Sequence, residues 1–282
     1  MTTTDTADPH PSGATAGARR ISTAFADARA EGRAALVTYL TAGYPDVATS
    51  RACIEAAVEA GADVVEVGLP FSDPMMDGPV IQRANQQVLD SGLTLAGQLE
   101  LVASVDITVP RLAMTYVTIV DRRGWERFAA EAEQAGLDGV ILPDLPAPEA
   151  HPWRQAAGGR ELATVFLASS VSSDARLTEI ADASSGFIYA TGLLGVTGVK
   201  DVAQDEARSL VARLRERTAT PVAVGIGVKD RASAAAVAAY ADGVIVGSSI
   251  VRTMGEGEAA TAPGRVAALV RELRAGVADP HR

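Results

Sequence analysis

Short apolar runs alternate along the chain with longer stretches in which apolar residues recur every three or four positions. The runs are Ala35–Leu40, Asp63–Gly68, Arg111–Val117, Gly139–Pro143, Ala163–Ala168, Gly186–Ala190, Pro221–Gly225 and Gly243–Val246. Each is strand-sized and rich in Val, Ile, Leu or Ala, the composition of strands covered on both faces. Between them, Ala48–Ala60, Trp125–Ala135, Asp174–Ala183, Glu206–Arg217, Ala232–Tyr240 and Gly264–Arg274 carry helical periodicity. In Glu59-Ala60-Gly61-Ala62-Asp63 and Gln134-Ala135-Gly136-Leu137-Asp138 a glycine falls at a helix end just before the next strand. That is the pattern of a C-cap followed by a short turn.

Strand and helix alternating eight times predict an α/β fold, a closed (β/α)₈ TIM barrel. The rival, an open doubly wound sheet, requires a glycine-rich dinucleotide turn after the first strand, and Thr41-Ala42-Gly43-Tyr44-Pro45 is not one. Residues 1–20 are rich in Thr, Ala, Pro and Gly, have no periodicity, and are expected to form a disordered tail. Ser22 could cap a short N-terminal helix over Thr23–Gly32. No linker divides the remainder, so residues 21–282 are expected to form a single catalytic domain.

Composition narrows the chemistry. The net charge of −10 argues against a nucleic-acid surface or an anionic membrane as partner. The single cysteine, Cys53, excludes an internal disulfide, and the scattered His10, His151 and His281 do not suggest a metal centre. No apolar run reaches transmembrane length and no signal-peptide pattern opens the chain, so a cytoplasmic location is the expectation.

Two intervals between strands are long, and both hold candidate chemistry. The first follows Val64-Val65-Glu66-Val67 and contains Pro70, Phe71, Ser72, Asp73, Pro74, Met75, Met76, Asp77, Gly78 and Pro79. A carboxylate inside an apolar strand is costly unless neutralised, paired or used. Strand alternation sets Glu66 opposite Val65 and Val67, so it could point into the barrel mouth for acid/base work, or simply face outward to a cation. Asp73 and Asp77 sit in a loop stiffened by prolines, where Asp also serves ordinary turns. The second long interval, Thr191–Gln204, contains the glycine-rich Gly195-Val196-Thr197-Gly198, a loop able to move as a lid; Tyr189 on the strand before it could equally be a core tyrosine. The last two strands end in Gly225-Ile226-Gly227 and Val246-Gly247-Ser248-Ser249. Glycines there, with a short helix starting near Ser248, could bind phosphate through backbone N–H groups alone, or simply serve tight turns.

The same segments carry a family resemblance. Glu66-Val67-Gly68, Pro70-Phe71-Ser72-Asp73-Pro74, Asp77-Gly78-Pro79-Val80-Ile81-Gln82, Pro143-Asp144-Leu145-Pro146, Gly195-Val196-Thr197-Gly198, Gly225-Ile226-Gly227 and Gly247-Ser248 occur in the order found in the tryptophan synthase alpha chain family. The chain resembles that family from about Ser22 to its C-terminal helix. The resemblance implies a carbon–carbon lyase of L-tryptophan biosynthesis, cleaving indole-3-glycerol phosphate to indole and glyceraldehyde 3-phosphate by a retro-aldol reaction. It further implies Glu66 as general acid/base and Asp77 as acceptor for the indole N–H, supported by Tyr189 near Glu66 and Thr197 over Asp77. Gly198, Gly227, Gly247 and Ser248 would bind phosphate, and Tyr39, Leu112 and Tyr116 would wall the indole pocket. Asp73 would communicate with a beta chain in an α₂β₂ heterotetramer, and no metal or organic cofactor is implied for this half-reaction.

Two segments depart from the family pattern. Thr118-Ile119, followed by Val120-Asp121-Arg122-Arg123, stands where Asn-Pro is common in the loop that faces the beta chain, and Thr191-Gly192 replaces a Ser-containing pair. Three readings stay open: the alpha subunit, a stand-alone indole-releasing lyase, and a weakly catalytic allosteric partner of a beta chain.

Overall fold

The computed structural model describes residues 14–191 and 200–278 of the chain. Its strands are β1 (Ala35–Thr41), β2 (Val64–Gly68), β3 (Arg111–Met114), β4 (Gly139–Ile141), β5 (Ala163–Val165), β6 (Leu167–Ser169), β7 (Ile188–Thr191), β8 (Val222–Val224) and β9 (Gly243–Val246). All neighbours pair in parallel, in the order β5-β4-β3-β2-β1-β9-β8-β7-β6. β5 and β6 are the two halves of one strand interrupted at Phe166, the first pairing with β4 and the second with β7. Phe166 bridges the break by accepting the Tyr189 N–H at 3.1 Å. The predicted eight-stranded barrel is therefore what forms, with its fifth strand divided.

Between the strands run the helices α1 (Ala16–Ala30), α2 (Val47–Glu59), α3 (Pro79–Asp90), α4 (Leu95–Ser104), α5 (Val117–Arg123), α6 (Trp125–Gln134), α7 (His151–Gly158), α8 (Asp174–Ala183), α9 (Lys200–Arg215), α10 (Arg231–Ala238), α11 (Ser248–Gly255) and α12 (Ala262–Val277). Among these described residues no helix is long and apolar enough to cross a membrane. The sequence pattern expects a long loop after β2, but its second half is helical. Pro79 starts α3 as the first helical residue, where its missing N–H costs nothing.

Strand alternation divides the apolar residues into two cores. Leu36, Leu40, Val65, Val67, Ala113, Val140, Val222 and Val244 face outward and pack under the helices. Ala35, Val37, Val64, Leu112, Ile141, Ala163, Val165, Ala223 and Ile245 fill the barrel interior. The floor of that interior is α1, which contributes Ala18, Ile21, Phe25 and Ala28, with Phe25 stacked on Phe187 at 5.4 Å between ring centroids.

The beginning of α1 corrects the sequence reading. Thr15, rather than Ser22, is the N-cap, accepting the Ala18 N–H, and residues 16–20 are helical rather than tail. Tertiary docking explains this, because Gly17 lies against the Asp138 backbone and donates its N–H to the Glu161 carbonyl at 2.9 Å. Arg20 then reaches Asp138 at 2.6 Å and Arg29 reaches Asp242 at 3.0 Å.

The N-terminal ends of the strands repeat one device. Asp63 accepts the Leu36 N–H at 2.8 Å, Asp138 that of Arg111 at 2.9 Å, Ser185 that of Thr164 at 2.9 Å, and Asp242 that of Val222 at 3.0 Å. Counting β5 and β6 together as the fifth barrel strand, each acceptor lies just ahead of an even strand (β2, β4, β7 or β9) and satisfies an N–H at the start of the odd strand before it (β1, β3, β5 or β8). Asp63 is also held by both guanidinium nitrogens of Arg33, at 2.7 and 2.8 Å. Bidentate arginine pairs of this kind fix geometry as well as charge.

A Cβ on Gly17 would fall 1.8 Å from the Asp138 carbonyl oxygen, whereas one on the exposed helical Gly264 meets nothing within 4 Å. Gly17→Ala is expected to destabilise the fold by about 1–3 kcal/mol, several degrees in thermal midpoint. Gly264→Ala should stabilise it by roughly 0.4–1 kcal/mol. Equal midpoints for the two variants would contradict the seating of α1.

Candidate active site

At the C-terminal end of the barrel lies a cavity of about 330 Å³. Its walls bring together Glu66, Asp77, Tyr39 and Tyr189 with Gly227, Gly247 and Ser248. Residues from both long intervals and from the last two strands, far apart in the chain, therefore share one space. A mainly apolar hollow with a few convergent polar groups is the usual form of a small-molecule site.

Glu66 stands on the inward face of β2, level with Tyr39 on β1 and Leu112 on β3. Its side chain is fully buried, and neither carboxyl oxygen has a hydrogen-bond partner among the described residues. Burial, with a smaller contribution from the nearby Asp77, pushes its pKa up from 4.5 to about 8. The outward alternative is thereby excluded: among the described residues no cation meets Glu66, and the barrel interior surrounds it.

Asp77 is delivered by the loop between β2 and α3, and Tyr116 holds that loop in place. The Phe71 and Tyr116 rings stack at 5.2 Å, the Met76 N–H donates to Tyr116 Oη at 3.0 Å, and Tyr116 Oη donates to Asp77 Oδ2 at 3.2 Å. Asn85 on α3 adds a longer donation to the same oxygen at 3.5 Å. Burial raises the Asp77 pKa to about 6, opposed by these two donors. The two carboxyls thus differ in what surrounds them: Glu66 is desolvated with no donor, and Asp77 is desolvated but hydrogen-bonded. Near neutral pH the first is protonated and the second ionised. Paired groups with separated pKa values are a usual arrangement for acid and base roles.

Two tyrosines lean over glycines beside this pair. The Tyr39 hydroxyl occupies the space a Cβ on Gly68 would need, 2.0 Å from it, and the Tyr189 hydroxyl comes within 2.7 Å of a Cβ built on Gly225. Burial first, then the negative fields of Asp77 and Glu66, hold both phenols well above their ordinary pKa, so they stay neutral donors.

Across the cavity, Gly227 adopts a left-handed backbone, φ 57°, with open space around its α-carbon. Gly247 is the N-cap of α11 and exposed Ser248 its first residue. Unsatisfied N–H groups and the positive end of the helix dipole there favour an anion. The described residues lining the cavity include no Lys or Arg, so an anion would be held by backbone N–H groups.

The remaining candidates fall in different places. Leu112 lies in the interior layer beside Glu66 and does not line the cavity; Met114, two residues further along β3, does. Both face inward, and the difference is one of depth. Tyr116 acts on the cavity through Asp77 and Met76 rather than by direct contact with the hollow. Asp73 is exposed on the loop, accepting a 2.6 Å bond from the Ser72 hydroxyl, and is not in the cavity wall. Thr197 and Gly198 lie outside the described residues. Cys53 is buried on α2, its thiol pushed up to about 11 by burial. Among the described residues no group of His, Cys, Asp or Glu is arranged to hold a metal ion.

Sequence reasoning passed over Met114, Ile81, Leu167 and Ile245 in the cavity wall, and also Asn85. Strand parity could have found Met114. Asn85 is the polar residue on the buried stripe Ile81, Ala84, Val88 of α3.

Comparisons with known proteins give the chain a family. The family model described as tryptophan synthase alpha chain matches residues 25–278. The tryptophan synthase alpha chain of Streptomyces avermitilis is 49% identical over 261 residues, covering 91% of this chain and 94% of the relative. That of Streptomyces coelicolor is 49% identical over 257 residues, covering 90% and 94%. Among solved structures, tryptophan synthase of Mycobacterium tuberculosis superposes with a TM-score of 0.86 at 42% identity, covering 94% of this chain and 99% of that one. The alpha subunit from Legionella pneumophila gives 0.83 at 31% identity, covering 92% and 98%. With a family model spanning nearly all the described residues and relatives at almost half identity over nine-tenths of its length, the chain belongs to the tryptophan synthase alpha chain family.

Proposed function

We propose that this chain is a carbon–carbon lyase that cleaves indole-3-glycerol phosphate to indole and glyceraldehyde 3-phosphate, as the alpha subunit of tryptophan synthase. The observation that carries the reading is the pair of buried carboxyls with separated proton affinities, Glu66 and Asp77, in one cavity with an anion-binding rim. Family membership supports it.

In this reading the rim of Gly227, Gly247 and Ser248 takes the phosphate, placing the indole ring between Tyr39, Met114 and the two carboxyls. Protonated Glu66 gives its proton to indole C3, creating a cationic ring whose N–H is held by ionised Asp77. The Glu66 carboxylate then takes the proton of the side-chain hydroxyl. As that oxygen becomes a carbonyl, the bond from its carbon to C3 breaks and its electron pair restores the aromatic indole. One proton moves from oxygen to carbon in total, and Glu66 ends as it began. Stabilising charge that develops only during reaction is what makes Asp77 catalytic rather than merely binding. Tyr189 shares the cavity with Glu66 as a neutral phenol, and no resident metal or organic cofactor enters these steps.

The partner in this reading is a beta chain, and the exposed Asp73 is the contact on the loop that would sense it. The solved tryptophan synthases among the structural relatives support that partner. The altered segment Thr118–Arg123 motivates a second reading, a lyase that releases indole without a beta chain. Indole release by the purified chain, with and without a beta subunit, separates them: turnover unchanged by the added subunit would remove the first. A single catalytic domain in the cytoplasm is part of the same proposal.

Glu66→Gln keeps shape but neither donates nor accepts a proton as an acid, and should lower kcat by about 10²–10⁴-fold; unchanged indole release would overturn the assignment. The same variant should gain stability at high pH. The folded-state pKa of Glu66 lies above its unfolded value, so the folded form binds the extra proton and the wild type loses stability as pH rises from 4.5 to about 8. Thermal midpoints of wild type and Glu66→Gln should therefore diverge across that interval, the variant being higher at the alkaline end. Because activity needs Asp77 ionised and Glu66 protonated, kcat/KM against pH should be bell-shaped, with limbs near 6 and 8. A flat profile across that range would argue against the pair.

A further inference from the structure

Asn85 presents a buried polar group that the reaction as described does not use. It lies on the buried face of α3 with Ile81, Ala84 and Val88, and is 3% exposed. Its Oδ1 has no hydrogen-bond partner among the described residues. Its Nδ2 points to Asp77 Oδ2, the same oxygen that accepts from Tyr116 Oη. Turning the amide over would set Oδ1 against a carboxylate oxygen, so the donor orientation is the one that chemistry permits. A buried amide with one orphaned end is costly at a position where Leu would fit the stripe. The other carboxyl oxygen, Asp77 Oδ1, accepts no bond from any described residue, and Asp77 lines the cavity.

We propose that Asn85 is a positioning residue: together with Tyr116 it fixes one oxygen of the Asp77 carboxylate, so that the other is presented to the ring N–H of the substrate. The role of Asp77 as N–H acceptor is taken from the function proposed above. At 3.5 Å the Asn85 bond is long, and catalytic hydrogen bonds commonly tighten only when substrate engages. Two donors on one side also keep the carboxyl ionised in a place where everything else opposes ionisation. Asp77 is faced by Glu66 from β2, Tyr39 from β1, Tyr116 from the N-cap of α5 and Tyr189 from β7, and no cation among the described residues lines the cavity. Asn85 and Tyr116 are the two groups whose bonds lower its pKa against burial.

The test uses Asn85→Leu, which removes the donor and suits the apolar stripe, and Asn85→Asp, which keeps the shape and replaces the donor with a second acid. The Asp77 carboxyl is titrated directly in the full-length chain by its ¹³C resonance, assigned with Asp77→Asn. The kcat/KM for indole-3-glycerol phosphate is followed against pH in parallel. Asn85→Leu should raise the Asp77 titration by about one pH unit and move the acid limb of kcat/KM with it, about five-fold at pH 6 and approaching ten-fold below pH 5. The basic limb, set by Glu66, should stay in place. Asn85→Asp should move the titration further in the same direction. A purely structural Asn85 would change the thermal midpoint and leave both titrations where they were, and that result in both variants overturns the proposal. If the wild-type chain releases no indole, the proposed reaction falls, while the ¹³C titration still decides whether Asn85 controls Asp77.

Discussion

The site depends on a carboxyl placed where water and counter-charge do not reach it. Glu66 belongs to the inward set of β2, and the barrel interior offers Val64, Leu112 and Ile141 in the layers around and beneath it, with no donor for either oxygen among the described residues. A carboxylate there is expensive and a neutral acid is not, so the barrel itself selects the protonated form. Much of the remaining arrangement follows from this. A second carboxyl at the same mouth would be driven neutral too unless something favoured its anion, and the loop carrying Asp77 is built to do so. Tyr116 grips that loop by stacking, by accepting from Met76 and by donating to Asp77. One loop conformation thereby separates two like groups into an acid and a base.

The opposite end of the barrel solves a different problem. An eight-stranded interior must be filled or covered at the bottom, and α1 covers it with Ile21 and Phe25 while arginines at its two ends reach Asp138 and Asp242. Stability resides there and chemistry at the mouth, the division expected of this architecture. The floor lets Glu66 remain dry: without α1, solvent would enter beneath the layer that desolvates it.

Much of this was legible in the chain, for reasons that differ by residue. Strand periodicity is strict, so Glu66 could be set opposite Val65 and Val67, but which set faces inward needed the barrel itself, since both faces of the strand are apolar. The glycines after the last two strands were visible as a candidate anion rim, although tight turns use the same residues. The start of α1 was not legible, since Ala16–Arg20 resembles a tail until Gly17 is seen against Asp138. Leu112 and Met114 have the same parity, and only the three-dimensional depth of the cavity separates them. The division of the fifth strand at Phe166 reflects a change of hydrogen-bonding neighbour, which no local pattern records. Asn85 was missed, because its place on the buried stripe of α3 shows only once that helix is seen and its meaning only with Asp77 beside it.

The acceptors at Asp63, Asp138, Ser185 and Asp242 have a consequence for how the chain could assemble during synthesis. Each joins an even strand to the odd strand made just before it, so the barrel is composed of four consecutive two-strand modules. The ties within a module are closed by residues only a few tens of positions apart, for which loop-closure entropy is modest. A nascent chain can therefore set the register of each pair as it emerges, leaving the long-range closure of β1 onto β9 to the moment when the last module is complete.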